Sequence, residues 1–221
     1  MKLQDGHMDT ARALTHTPWK YVNHMVEHGS PGNVLEIGVC AGGSALALMQ
    51  LVGGETNYIV TVDPWGNRPY ETSGALYGDE LQRGALSTLG HWADHSNVNW
   101  HHFKLTSLEF LRHIQRLGCW YAGQHMEYTW DTVFLDGEHL IHVVWEELDL
   151  LAKHLKPGAV IFIDNANHAQ QPALGGVNGK RDADSMSMDK AIEEWARRNV
   201  MDCTFLPIEN GDMLAELRGR A

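Results

Sequence analysis

The sequence predicts an α/β protein built on a largely parallel sheet, and three features carry that expectation. Short apolar runs alternate with longer stretches of helical period, the rhythm of repeated β-α-β units. The first of these runs breaks at once into a glycine-rich turn, "VLEIGVCAGGSA", Val34 to Ala45. The chain then closes on "CTFLPI", the turn "ENGD" and "MLAELR", two strands that double back as an antiparallel hairpin.

In chain order, residues 1–32 read as an N-terminal helical segment, and "NVLEIGV" as the first strand, followed by a helix from about Ser44 to Leu51. "YIVTVD" is the second strand, "NVNWHHFK" the third, "DTVFLD" the fourth and "GAVIFID" the fifth. Helices fill the gaps over about Asp79 to His95, Ser107 to Leu117, and Leu140 to His154. The last is stopped by "KPG", since proline cannot continue a helix and glycine favours its end. Residues 166–187, rich in Gly, Ala, Asn and Asp, form a lid-like loop before a helix that runs to about Asn199.

A chain of 221 residues, 43% hydrophobic and 20% charged, suits one domain spanning 1–221. A net charge of −11 with only 17 Lys and Arg argues against nonspecific nucleic-acid binding, which needs a basic surface. No apolar run reaches membrane-spanning length, and "MKLQDGHMDT" lacks the apolar core of a signal peptide, so the expectation is a cytoplasmic protein with no membrane partner. Three widely spaced cysteines fit neither a disulfide framework nor a structural zinc site. A homo-oligomer stays open.

The glycine turn points to a ligand, because glycine tolerates positive φ and lets a ligand approach exposed backbone amides. Gly38, Gly42 and Gly43 do not follow G-x-G-x-x-G, and Glu36 would repel a diphosphate, so a dinucleotide is disfavoured. Asp63, 20 residues beyond Gly43 at the end of the second strand, is placed to accept hydrogen bonds from ribose hydroxyls. Ribose, no phosphate and a positive centre together describe S-adenosylmethionine.

A second constellation lies on the same edge. Asp136 ends the fourth strand and Asp164-Asn165 the fifth, and in a parallel sheet neighbouring strand ends converge. Three oxygen donors suit a hard cation such as Mg²⁺. The plainer reading of each aspartate alone is a helix N-cap, and of Asp63 before Pro64, turn chemistry. His91 and His95 share a helix face but lack the H-E-x-x-H pattern, and His101 and His102 read as structural or surface. Trp65 is a candidate cover for the adenine.

"VLEIGVCAGGSALAL", the acidic end of "IVTVD", "FLDGEHL" and "IFIDNAN" resemble the class I S-adenosylmethionine-dependent methyltransferases. Within that class they are most similar to the metal-dependent O-methyltransferases, including the catechol and macrolide-sugar enzymes. The resemblance implies a Rossmann-like sheet of seven strands in order 3-2-1-4-5-7-6, with strand 7 antiparallel. It implies a general base at His139, where the macrolide-sugar enzymes carry histidine and the catechol enzyme lysine. "GEH" also replaces the catechol enzyme's adenine-covering aromatic residue.

The resulting expectation is methyl transfer to a hydroxyl of a small molecule: a sugar, a glycosylated natural product or a vicinal diol. Gly38, Gly42 and Ser44 would hold the cofactor's amino-acid end beside Glu36, Asp63 the ribose and Ser107 the adenine. Asp136, Asp164 and Asn165 would bind Mg²⁺, and His139 would take the proton, with His168 the competing base. The rivals are a noncatalytic module that only binds S-adenosylmethionine and, disfavoured by glycine spacing and hairpin, a nicotinamide-dependent oxidoreductase.

Overall fold

A computed structural model describes residues 6–65, 78–117, 119–121, 124–126, 128–167, 187–207 and 212–220. Two helices come first, α1 (His7–Leu14) and α2 (Trp19–His28), followed by β1 (Val34–Ile37), α3 (Gly43–Leu48) and β2 (Tyr58–Val62). Next are α4 (Asp79–Ser96), β3 (Asn99–Phe103), α5 (Ser107–Leu117) and the short strands β4 (Cys119–Tyr121) and β5 (Gln124–Met126). The chain continues through β6 (Trp130–Leu135), α6 (Ile141–Leu151), β7 (Leu155–Ile163), α7 (Met188–Arg198), β8 (Met201–Pro207) and β9 (Met213–Gly219).

Seven strands form one sheet in the order β3-β2-β1-β6-β7-β9-β8, parallel except for β9, which runs antiparallel to both its neighbours. With β4 and β5 set apart as a separate antiparallel pair, this is the expected 3-2-1-4-5-7-6 order. The pair was not foreseen. Strands of three residues are too short for an alternation pattern to reveal.

β7 also begins earlier than expected, at Leu155 rather than Gly158, so the "KPG" that stops the preceding helix lies inside the strand. The sheet accommodates this with a register shift opposite Trp130 and Thr132, the kind of irregularity at which a strand tolerates proline.

Alternation along the strands divides the core in two. Leu35, Ile37, Val133, Leu135, Ile161 and Ile163 pack with Phe110 of α5, Leu148 of α6 and Trp195 of α7. On the other face, Val34, Ile59, Phe134, Val160 and Phe162 pack with Val22 of α2, Leu46 of α3 and Leu89 of α4. Glu36 stands two residues after Val34 and so points to the second face, toward α3, with no solvent exposure.

Candidate active site

Strand register builds the site. Ile37 pairs with Val62 on one side and Leu135 on the other, and Leu135 pairs with Ile163. The residues that follow therefore leave the sheet at one level: Gly38, Asp63, Asp136 and Asp164. The ladder runs on for a step, with Gly38 N–H donating to Val62 O at 2.9 Å, Asp136 N–H to Ile37 O at 2.8 Å and Asp164 N–H to Leu135 O at 3.0 Å. Gly38 is required by closeness and by φ of 88°: a Cβ there would overlap the backbone of Asp136.

Four carboxyl groups gather at this edge, and burial leaves two of them protonated more readily than usual. Desolvation pushes Glu36 up to about 8, with Asp63 adding to the shift and the Ser44 hydroxyl opposing it. Ser44 Oγ donates to Glu36 Oε1 at 2.5 Å, while Glu36 Oε2 is buried with no hydrogen-bond partner among the described residues. Asp136 is held well above the ordinary carboxylate range by desolvation, then by Asp164 and by Glu36, against the Thr17 hydroxyl.

Asp63 is fully buried and braces the glycine turn. Its Oδ2 accepts the amides of Val39 at 2.8 Å and Cys40 at 3.0 Å, and its Oδ1 accepts that of Trp65 at 2.8 Å. The Trp65 indole donates to Cys40 O at 3.1 Å and its ring packs on His102 at 4.8 Å, so it is built into the core beneath the turn with 3% exposure.

Asp136, His139 and Asp164 each offer one ligand atom, and these atoms lie within 4.8 Å of one another. His139 Nε2 is 3.8 Å from Asp136 Oδ1 and 3.3 Å from Asn165 Nδ2. With the Asn165 amide in this orientation its nitrogen donates to His139 Nε2, and with the amide turned over its oxygen faces the ring instead, so the tautomer of His139 follows the orientation of Asn165. Asn165 Nδ2 is also 3.0 Å from Asp164 Oδ2, to which it donates. Ligation by Asn165 requires the amide to turn over and present its oxygen. The donor set, carboxylates with one amide oxygen within reach, fits a hard divalent cation.

The sequence reading thus brought Glu36, Gly38, Ser44, Asp63, Asp136, His139, Asp164 and Asn165 to one edge. Gly42 opens α3 with φ of 87°. Ser107, the candidate for the adenine, bonds to Glu147, a buried residue of α6 that desolvation pushes up to about 8. His91 and His95 are exposed, as expected, and His101 bonds Tyr128 inside the protein at 3.1 Å. His168 and nearly all of the 166–187 loop lie outside the described residues. Sequence reasoning missed Thr17, whose hydroxyl donates to Asp136 Oδ2 at 3.2 Å across 119 positions, a distance no local motif spans.

A seven-stranded sheet in this order with an antiparallel β9, a glycine turn after β1 and acids at the strand ends define a class I S-adenosylmethionine-dependent methyltransferase. The chain belongs to the methyltransferase domain family, whose model matches residues 35–166, more than half its length. No curated protein matches its sequence.

Among solved structures, it is similar to an O-methyltransferase from Bacillus cereus in complex with SAH, at 14% identity and a TM-score of 0.59 over 97% of this chain and 91% of that one. It is equally similar in fold to TomG from Streptomyces achromogenes, an O-methyltransferase involved in tomaymycin synthesis, in complex with SAM. There the identity is 17% and the TM-score 0.59, over 98% and 91% of the two chains.

Proposed function

We propose that the protein is a Mg²⁺-dependent O-methyltransferase that moves the methyl group of S-adenosylmethionine to a hydroxyl of a small molecule. The carrying observation is the convergence of Asp136, Asp164 and a ring nitrogen of His139 within 4.8 Å, beside a glycine turn whose buried Glu36 has one oxygen with no partner among the described residues. That orphaned carboxylate oxygen suits a cofactor with a cationic amino-acid end. The O-methyltransferase neighbours and the sequence resemblance support the same reading. Sugars, glycosylated natural products and vicinal diols are the acceptor classes, and a cytoplasmic setting with no nucleic-acid or membrane partner goes with them.

In the reaction the acceptor oxygen forms a bond to the sulfonium methyl as the carbon–sulfur bond breaks, its electron pair staying on sulfur to leave S-adenosylhomocysteine. The acceptor proton passes to His139, whose Nε2 lies at the cluster, 3.8 Å from Asp136 Oδ1. Asp136 and Asp164, with Asn165 turned over, would hold Mg²⁺, which when bound lowers the pKa of a hydroxyl and fixes its direction. Asp63 orders the turn through three backbone amides, and the Glu36–Ser44 pair sets its inner wall. Much of the acceleration comes from this placement.

The test is a methyl-transfer screen over polyphenols, sugars and glycosylated natural products, with Mg²⁺ and with EDTA. Transfer to oxygen that stops in EDTA is the expected result, and full activity in EDTA sinks the metal requirement. One observation favours a second reading of the ion site: a ring nitrogen of His139 lies within 4.8 Å of both carboxylates, near enough to be a ligand in place of Asn165.

A further inference from the structure

The connection between α1 and α2 crosses the edge of the site. At its start, the backbone of Leu14 and Thr15 presses on Gly43, where a Cβ would overlap Thr15. Two residues further, Thr17 is 5% exposed and its hydroxyl donates to Asp136 Oδ2 at 3.2 Å. The segment is held on both sides of that contact: Thr15 Oγ1 donates to Thr17 O at 3.2 Å, and Pro18 restricts Thr17 to extended backbone.

A carboxylate ligand works best when a fixed donor occupies one oxygen, because the other then keeps a single direction. With Oδ2 taken by Thr17, the oxygen of Asp136 that faces His139 is Oδ1, at 3.8 Å. We propose that Thr17 is a positioning residue for the ion site, its hydroxyl fixing the rotation of the Asp136 carboxylate so that Oδ1 meets Asp164 and His139. The inference rests on the metal-dependent reading above. It gives the N-terminal segment a part in the chemistry through one side chain that itself touches neither ion nor acceptor.

The experiment is a Mn²⁺ titration followed by electron paramagnetic resonance, on protein saturated with S-adenosylhomocysteine so that nothing turns over. Thr17→Val should weaken Mn²⁺ binding by roughly 10–100-fold, the usual effect of removing a hydrogen bond to a ligating group, while Thr17→Ser stays close to wild type. Calorimetry should give both variants unaltered affinity for S-adenosylhomocysteine. Should Thr17→Val not fold, Thr17→Ala against Thr17→Ser makes the same comparison without added bulk. Wild-type Mn²⁺ affinity in the variant lacking the hydroxyl overturns the inference and leaves the metal centre standing. Equal losses with and without the hydroxyl overturn it too, because packing then explains both. A wild-type protein that binds no Mn²⁺ overturns the metal-dependent reading and this inference with it.

Discussion

Asp63 accepts hydrogen bonds from three backbone amides and has no exposed surface, so its first duty is to the protein. A residue that only met ribose hydroxyls could be changed without harm to the cofactor-free fold. Asp63→Asn puts an amide group where Val39, Cys40 and Trp65 need acceptors, and should destabilise the cofactor-free protein by on the order of 3 kcal/mol while weakening cofactor binding. Denaturant unfolding without cofactor checks it, and unchanged stability would return Asp63 to a purely ligand-facing role. The same pattern recurs at Ser44 and Ser107, which bond to Glu36 and Glu147. Their identity and positions at the starts of helices were legible in the sequence, whereas their partners depend on how α3 and α6 pack over the sheet. His139 separates by experiment in another way. As general base, His139→Ala should lower kcat by roughly 10²–10⁴-fold with ion affinity unchanged, and part of the loss should return as hydroxide replaces the base at higher pH. As an ion ligand, the same change should lower Mn²⁺ affinity. A titration alongside single-turnover rates distinguishes the two, and His168→Ala is the control for the competing base.

α1 rests on α3 through a contact that only glycine permits. A Cβ on Gly43 would overlap the backbone of Thr15, which has no side-chain freedom with which to yield. Gly43→Ala should therefore push α1 and the Thr15–Thr17 segment away from the site, at a cost of about 1–3 kcal/mol typical of overpacking. Faster amide exchange confined to residues 7–17 is the expected signature, and uniform protection in the variant counts against the seating. The sequence marked Gly43 as part of a ligand turn and said nothing of this, because the glycine and its neighbour α1 belong to separate local patterns. The long elements were readable for the opposite reason. β1, β2, β6 and β7 are apolar on both faces, and β8–β9 carries a turn signal between two strands, so periodicity and turn chemistry placed them without knowledge of contacts. β4 and β5, at three residues each, offered neither signal.

Across the whole molecule, buried titratable groups pull stability in opposite directions with pH. Burial lowers His7, which packs on Trp92 with both ring nitrogens lacking partners among the described residues, to about 4, and it lowers His102 to about 4 as well. The unfolded chain protonates these rings first, so their contribution is lost as pH falls from about 6.5 toward 4. Glu36 and Glu147 work the other way. Both are raised by burial to about 8, so the folded protein holds their protons where the unfolded chain has released them. Their contribution is complete below about pH 4.5 and is lost as pH rises to about 8. Between those limits the two sets offset one another up to about pH 6.5, where the histidines finish titrating and the glutamates act alone. The metal-free protein should then lose on the order of 4 kcal/mol between pH 6.5 and 8, from two groups at about 1.4 kcal/mol per pH unit. Asp136, raised in the same direction, adds to the loss, and a cation bound as proposed would remove that part by holding it ionised. Urea unfolding at pH 6.5 and pH 8 in EDTA measures the fall, and Glu36→Gln, which removes one titrating group and keeps its shape, should recover about half of it. If Glu36 faces the cofactor's cationic end as proposed, the same variant should also bind S-adenosylmethionine less tightly, which calorimetry measures. A wild-type protein equally stable at both pH values would mean that burial does not hold the protons on Glu36 and Glu147.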